Sequence, residues 1–329
     1  MIFKKGIATI LSTATLLTAV SPCAFAEGNS KEETTKSMST TGKVILAGAG
    51  AIGLAALGGI IYHVVKNSHV KVETLKGKPI YEKYMELQKA VVSGKCEKVK
   101  NLLNTNKELD INAIYSTTLA TLLHKAAWKN DVTMCNILID RGADINAEND
   151  NGETPLHLAA YNGYTKICKL LIDKGANVNA KQWCGGMTPL HRAVCRKHFK
   201  TCEVLIKNNA NVNIRANSGE TPLEESISNN NKKMCGLLIK NGADVNLRNN
   251  QGDTPLHKAA SHNRYDICKL LIDNGADINA TDKYGFTPLD HWFWTYSSSI
   301  SYAFGTDLDK KETRKLLNEY GAKHGNELK

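Results

Sequence analysis

The sequence predicts an all-α protein: a solenoid of helix-turn-helix units, preceded by a signal segment and a single transmembrane helix. Three observations support this fold class. A Thr-Pro-Leu-His motif returns at intervals of 33 or 34 residues, and a second apolar stretch returns in step with it. Two apolar segments lie ahead of these copies, one within residues 1–26 and one over residues 44–65. Because a period of this length is typical of stacked supersecondary units, the 329-residue chain is predicted to be a repeat protein.

The first half of each unit carries the motif. Its copies keep register through successive intervals of 33, 34, 33, 33 and 33 residues. They are Thr121-Leu122-Leu123-His124, Thr154-Pro155-Leu156-His157, Thr188-Pro189-Leu190-His191, Thr221-Pro222-Leu223-Glu224, Thr254-Pro255-Leu256-His257 and Thr287-Pro288-Leu289-Asp290.

Each unit has the residues that two short helices need. Thr154 can cap a helix whose first turn accepts Pro155, because the missing proline N–H falls where no intrahelical bond forms. A second stretch, Ile167 to Ala180, is answered by Ile267 to Ala280, and its apolar residues have helical spacing. Gly175 then ends the second helix by accepting a left-handed backbone. Since one such hairpin cannot cover its own apolar side, it stacks on its neighbours.

The motifs resemble those of the ankyrin-repeat family, and the resemblance covers residues 84–325. It implies an ankyrin-repeat solenoid that holds a partner protein on a concave surface. It also implies that the motif histidines hydrogen-bond within their own motif: His124, His157, His191 and His257. The predicted units are a degenerate first unit 84–113, units of about 117–149, 150–182, 183–216, 217–249 and 250–282, and an atypical last unit 283–325.

The last unit departs most from the pattern. Trp292, Phe293 and Trp294 replace the small residues of the first helix, and a polar insertion, Thr295 to Asp307, precedes the second. A terminal unit lacks a further neighbour to cover it, so bulky aromatic residues suit a lid on the stack. A binding patch is the alternative interpretation.

Five of the nine cysteines occupy one equivalent position in successive units: Cys135, Cys168, Cys202, Cys235 and Cys268. Stacked helices lie about 8–10 Å apart, whereas a disulfide needs Cα atoms within roughly 7 Å of each other. We therefore expect buried thiols and a reducing compartment for the repeats.

The N-terminal residues 1–26 have the pattern of a signal peptide. Lys4 and Lys5 precede an apolar run, and the small residues Ala24 and Ala26 mark a cleavage site. Residues 27–43 show no apolar periodicity and carry three Lys against three Glu. This composition predicts a disordered extracytoplasmic segment.

The stretch from Val44 to Val65 contains no Asp, Glu, Lys or Arg. As a helix it would be about 33 Å long, enough to cross a hydrocarbon core of about 30 Å, so we predict a transmembrane helix in the lipid bilayer. The same stretch places Gly48, Gly50 and Gly53 in a Gly-x-Gly-x-x-Gly pattern, which raises the alternative of a nucleotide-binding enzyme. The sequence beyond it lacks the alternating strands and helices of a dinucleotide fold, which makes this alternative the weaker one.

Charge on the two flanks of the span predicts its orientation. Residues 27–43 have a net charge of 0, whereas the basic linker 66–83 has +3. Since the basic flank stays inside, we expect a single-pass membrane protein with its repeats facing the cytoplasm. Small residues four apart on one face of the span would allow self-association: Ala47, Ala51, Ala55 and Gly59. Small residues are also common in such helices, so both interpretations stay open.

Composition and motifs argue against other classes of function. Of the formal charge of +10, only +5 lies outside the N-terminal segments and the linker, too little to predict nucleic-acid binding. No metalloprotease, phosphate-loop or nucleophile-elbow motif occurs, so we predict no enzyme, no catalytic residue and no cofactor. One group of zinc-type ligands lacks a Cys-x-x-Cys pair, and we predict no metal there either: Cys184, His191, Cys195, His198 and Cys202.

Variable positions of the first helices and of the hairpin tips form a basic surface with aromatic anchors. Such a surface would suit a partner protein with an acidic segment, although a merely solvated face is the alternative. The candidate partner-binding residues are Lys125, Trp128, Lys129, Tyr161, Trp183, Arg192, Arg196, Arg215, Arg248, Lys258 and His262. We predict a membrane-tethered protein–protein interaction scaffold. The alternative is an exported soluble ankyrin-repeat protein that binds host proteins.

Overall fold

The structure, a computed structural model, describes residues 79–113, 118–297 and 307–328. These residues form helices joined by turns and contain no β-strand. The predicted signal peptide (1–26), extracytoplasmic segment (27–43) and transmembrane helix (44–65), with its glycine pattern and small-residue stripe, lie outside the described residues, as does most of the linker 66–83. Among the described helices, none combines the length and the apolar character needed to cross a membrane.

The described chain divides into two compact units. The first comprises the described residues up to 129 together with 133–150. It holds α1 (Pro79–Val92), α2 (Cys96–Thr105), α3 (Leu122–Trp128) and, except for its first residue, α4 (Val132–Asp140). Helix α1 packs on α2 and α3, and the Tyr84 hydroxyl accepts a hydrogen bond of 2.8 Å from the Asp110 N–H.

The second unit comprises residues 130–132 and the described residues from 151 onward. Its helices are α5 (Pro155–Tyr161), α6 (Thr165–Asp173), α7 (Pro189–Cys195), α8 (Phe199–Lys207), α9 (Pro222–Ser228), α10 (Lys232–Lys240), α11 (Pro255–Ser261), α12 (Tyr265–Asp273), α13 (Pro288–Ser297) and α14 (Asp307–Glu319), followed by a 3₁₀ turn, Gly325–Glu327. The first helices of the hairpins, α5, α7, α9, α11 and α13, pack on one another in that order. Each of them also packs on the helix that follows it in the chain. The unit is therefore a row of stacked helical hairpins.

The Thr-Pro-Leu-His motif builds the start of each first helix and also joins neighbouring hairpins. In α7, the Thr188 N–H donates to His191 Nδ1 at 3.2 Å, so the ring proton lies on Nε2. His191 Nε2 then donates to the Glu220 carbonyl of the next hairpin at 3.3 Å. We call this contact the repeat joint. His157 and His257 form the same joint with the carbonyls of Met187 and Phe286, at 3.1 and 3.0 Å.

The hydrogen bonds within the motif, which the family resemblance implied for its histidines, are confirmed. Backbone N–H groups donate to Nδ1 at 3.1–3.2 Å in all four copies: Thr121 to His124, Thr154 to His157, Thr188 to His191 and Thr254 to His257. These histidines are buried, and burial lowers the pKa of His191 to about 4 and also lowers the pKa of His257. A neutral ring is what the joint requires, since Nδ1 must accept.

The ends of the second helices are tied together by a second set of hydrogen bonds. Helix α6 ends at a left-handed Gly175, with φ of +96°. Further along, Asn213 clamps the end of the next hairpin from both sides. Its amide donates to the Gly242 carbonyl at 2.9 Å and its Oδ1 accepts from the Asp244 N–H at 2.9 Å. Equivalent clamps come from Asn112, Asn179, Asn246 and Asn279.

The core between hairpins is made of small and branched apolar residues, including the repeated cysteines. All five cysteines at the equivalent position are buried thiols, as the helix spacing predicted. Burial raises the pKa of Cys168, Cys202 and Cys268 to about 12 and that of Cys235 to about 11. These thiols are therefore packing groups and poor nucleophiles.

The last hairpin replaces the motif histidine with Asp290. Its Oδ2 accepts from the Thr287 N–H at 2.9 Å and from the Gly325 N–H at 2.8 Å, which holds the C-terminal turn in place. Trp292 is buried, and its indole N–H donates to Asn263 of the preceding hairpin at 3.2 Å. This position fits the predicted lid, while the side chains of Phe293 and Trp294 lie outside the described residues.

Candidate partner-binding surface

The candidate residues on α5 and α7 meet around one aromatic ring. The guanidinium carbons of Arg192 and Arg196 lie 4.5 and 4.8 Å from the centre of the Tyr161 ring. Arg192 also donates to Glu153 at 2.5 Å, with 23% and 10% of the two side chains exposed. Because Glu153 neutralises Arg192, the exposed cation of this cluster is Arg196.

A second predicted cation is likewise paired within the chain. Lys258 on α11 forms an ion pair with Glu220, and only 14% of the lysine side chain is exposed. Glu153 and Glu220 both directly precede a motif threonine, and each pairs with a cation on the first helix of the next hairpin. The two pairs are therefore one recurring contact, 39 and 38 residues apart in sequence.

Sequence reasoning missed these carboxylates, although a signal was present. Where an acidic residue directly precedes the motif threonine, a basic residue follows about one repeat and five residues later, on the first helix of the next hairpin. Sequence reasoning counted every basic residue on the first helices as available to a partner, and it therefore did not use this spacing. Because a carboxylate neutralises each of them, the paired arginine and lysine contribute less positive charge to the surface than the composition suggests.

The candidate residues at the hairpin tips differ in their roles. Arg248 donates to the carbonyls of Gly252 and Thr281, so it ties two loops together. Arg215 is exposed, and Trp183 is 48% exposed. Trp183 needs a glycine beside it, because a Cβ on Gly152 would lie 2.6 Å from the indole Cδ1.

The remaining candidates lie at the ends of first helices. In the first unit, Trp128 is 48% exposed, Lys129 is exposed, and burial lowers the pKa of the half-buried Lys125. In the second unit, His262 is exposed and its Nδ1 lies 2.9 Å from the Lys258 carbonyl.

Three members of the zinc-type group noted in residues 183–216 have other roles in the structure. His191 forms the repeat joint, and His198 Nε2 donates to the Tyr161 carbonyl at 3.0 Å. Cys202 is buried in the core. These side chains therefore serve the stacking of hairpins.

Comparisons with known proteins agree with this architecture. A family model described as ankyrin repeats (3 copies) matches residues 87–182, 123–216 and 181–249, and one described as ankyrin repeats (many copies) matches residues 238–291. No curated protein matches the chain.

Two solved structures are similar to the chain. The ankyrin repeat domain of Bcl-3, described as a unique member of the IkappaB protein family, aligns with a TM-score of 0.59 and 28% identity, covering 62% of this chain and 92% of that one. The human ASB11 ankyrin repeat domain aligns with a TM-score of 0.57 and 24% identity, covering 72% of this chain and 98% of that one. At that identity ASB11 supports the fold alone. With the repeat joints, the helical hairpins and the two family models in agreement, the chain belongs to the ankyrin-repeat family.

Proposed function

We propose that this chain is a membrane-tethered scaffold that binds a partner protein with an acidic segment on the first-helix face of its repeats. Ankyrin repeats are protein–protein interaction scaffolds, and this family and fold are typically not enzymatic. The main support for the proposed binding surface is the exposed Arg196, whose guanidinium stacks on the Tyr161 ring. The stacking orients this cation toward a partner.

Charge is concentrated in the hairpin that carries Arg196. Residues 183–216 contain six Lys or Arg and one acidic residue, a net charge of +5. Lys197 and Lys200 are exposed near Arg196, beyond the end of α7. An acidic peptide would meet three cations there, with Trp183 as an aromatic anchor on the same hairpin.

The tether is proposed from sequence. Val44 to Val65 would cross the bilayer, the linker 66–83 would lie on the basic inner side, and the repeats would face the cytoplasm. Contact through Ala47, Ala51, Ala55 and Gly59 would let two copies associate in the membrane. Buried thiols at five repeat positions suit a reducing compartment.

A random peptide library displayed against the full chain tests the binding surface. Enriched peptides should be acidic, and Arg196→Glu should abolish their binding. Lys240→Glu makes the same charge change at an exposed lysine at the end of α10 and should leave binding intact. Equal loss with both variants, or enrichment of peptides without acidic residues, contradicts the proposed surface.

Carbonate extraction of membranes from cells expressing the full chain tests the tether. A spanning segment keeps the protein in the pellet, and replacing Ala51 and Leu54 with Asp should release it. Release of the unaltered chain into the supernatant would favour the exported soluble protein and contradict the tether.

A further inference from the structure

The arginine and lysine pairs described above have a third counterpart in the last hairpin. His291 on α13 occupies the position of Lys258, and Asp253 occupies that of Glu220. His291 Nε2 lies 3.5 Å from Asp253 Oδ1. An imidazole thus replaces the usual long cation, and a shorter carboxylate replaces glutamate.

The imidazole also faces a second carboxylate. His291 Nε2 lies 3.0 Å from Asp282 Oδ2. One proton on Nε2 can be donated well to only one of the two carboxylates, and it is directed to Asp282. Asp253 Oδ1 is buried and has no hydrogen-bond partner. A buried carboxylate oxygen in this state is costly, which indicates a missing positive charge.

The distances from His291 Nε2 to the two carboxylates are compatible with a metal ion shared between them. Zinc binds imidazole nitrogen and carboxylate oxygen at about 2.0–2.2 Å, which places tetrahedral ligands about 3.3–3.5 Å apart. The observed separations of 3.0 and 3.5 Å bracket this value. One nitrogen and two carboxylate oxygens suit a divalent transition metal rather than calcium or magnesium.

The ligands are oriented by groups behind them. Asp282 Oδ1 accepts from the Tyr284 and Phe286 N–H groups at 2.8 and 2.9 Å, which leaves Oδ2 directed at His291. His257 lies next to the group, and its ligand atom is within 4.8 Å of those of Asp253 and His291. Its two nitrogens are already used, by Thr254 and Phe286, so it lines the site without coordinating. The side chains of His291 and Asp253 are 23% and 21% exposed, which leaves a path for the ion.

We propose that Asp253, Asp282 and His291 form a zinc site that clamps the last hairpin to the one before it. Water completes the coordination shell. The last described hairpin packs on the hairpin before it, and a metal bridge would add stabilisation to that contact.

The test is zinc binding by the full chain in detergent after removal of metal with a chelator. Equilibrium dialysis with elemental analysis measures the zinc bound, and thermal unfolding is followed with and without it. The matched control is His291→Lys. This change restores the cation found at Lys258 and can pair with Asp253, but a protonated amine cannot bind zinc.

The unaltered chain should bind one more zinc ion per chain than His291→Lys, and zinc should raise its unfolding temperature by several degrees. Asp253→Asn should weaken binding more than tenfold. Zinc held by cysteines or other histidines would be common to all variants and cancels in the comparison. Equal stoichiometry and equal thermal shifts in the unaltered chain and His291→Lys overturn the site. If circular dichroism shows that His291→Lys is unfolded, Asp253→Asn replaces it as the control variant in the comparison of zinc stoichiometry and thermal shift.

Discussion

The hairpins of the second unit use two different chemistries at one position. Three repeat joints are made by neutral histidines, whose Nε2–H donates to the carbonyl before the next motif threonine. In the hairpin of α9, Glu224 stands in that place. Its Oε2 accepts from the Thr221 N–H at 2.8 Å, as histidine Nδ1 does elsewhere, but its Oε1 is buried without a hydrogen-bond partner.

The difference between histidine and Glu224 shows that this position has two separate requirements. The side chain must fill the space between hairpins, and it must carry a proton that it can donate to the next hairpin. Glu224 fills the space as completely as histidine, since it is fully buried. It can donate toward the next hairpin only as a neutral carboxylic acid. Burial raises the pKa of Glu224 to about 7, against the lowering effects of the Thr221 N–H and of Lys258. The position of Glu224 is therefore sensitive to pH, whereas burial lowers the pKa of His191 and His257 and so favours the neutral ring that their joints require.

Removing a histidine joint should have the largest effect. His191→Ala should cost about 4 kcal/mol of unfolding free energy, because it leaves a cavity and an unpaired Glu220 carbonyl. Urea unfolding followed by circular dichroism measures it. His262→Ala, at an exposed histidine, should change stability by less than about 0.5 kcal/mol. A cost below about 1 kcal/mol for His191→Ala would mean that the joint is not stabilising.

The pH dependence of Glu224 should come next. Because its folded pKa of about 7 exceeds the ordinary 4.5, ionisation destabilises the fold. The penalty begins above pH 4.5, grows to about 3 kcal/mol near pH 7 and then levels off. Glu224→Gln should remove this dependence, since an amide donates at any pH. The measurement is the urea midpoint of both proteins from pH 4.5 to 8, and parallel curves would contradict the assignment.

The recurring ion pair should contribute less. A double-mutant cycle of Glu153→Gln and Arg192→Met should give a coupling free energy of about 1 kcal/mol, because both side chains are largely buried. The exposed pair Lys169 and Asp173 is the matched control, with 53% and 50% of the side chains exposed, and its coupling should be near zero. Equal coupling in the two cycles would show that burial does not matter here.

The smallest effect on stability should come from Arg196. Arg196→Ala should change the unfolding free energy by less than about 0.5 kcal/mol, since only its stacking on Tyr161 is lost. Thermal unfolding checks this. A larger loss would make Arg196 a structural residue and would weaken its proposed role in binding.

Sequence alone predicted the hairpins, their register and the buried cysteines, because each depends on a local pattern that repeats. It did not predict which surface cations are neutralised. Glu153 and Arg192 are far apart in the chain, and their contact depends on the offset between stacked hairpins. The group around His291 was missed for the same reason, since its ligands come from two successive loops and a helix.

The equivalent cysteines have a practical consequence. Each thiol is shielded from solvent by its own hairpin and its neighbours, so a thiol reagent can reach it only when that part of the stack opens. Mass spectrometry can resolve the alkylation rate of each thiol, and these rates would rank the hairpins by how often each one opens locally. The thiols are Cys135, Cys168, Cys202, Cys235 and Cys268. Five of the predicted repeats thus carry a native thiol whose alkylation rate reports local opening, and no cysteine has to be introduced by mutation.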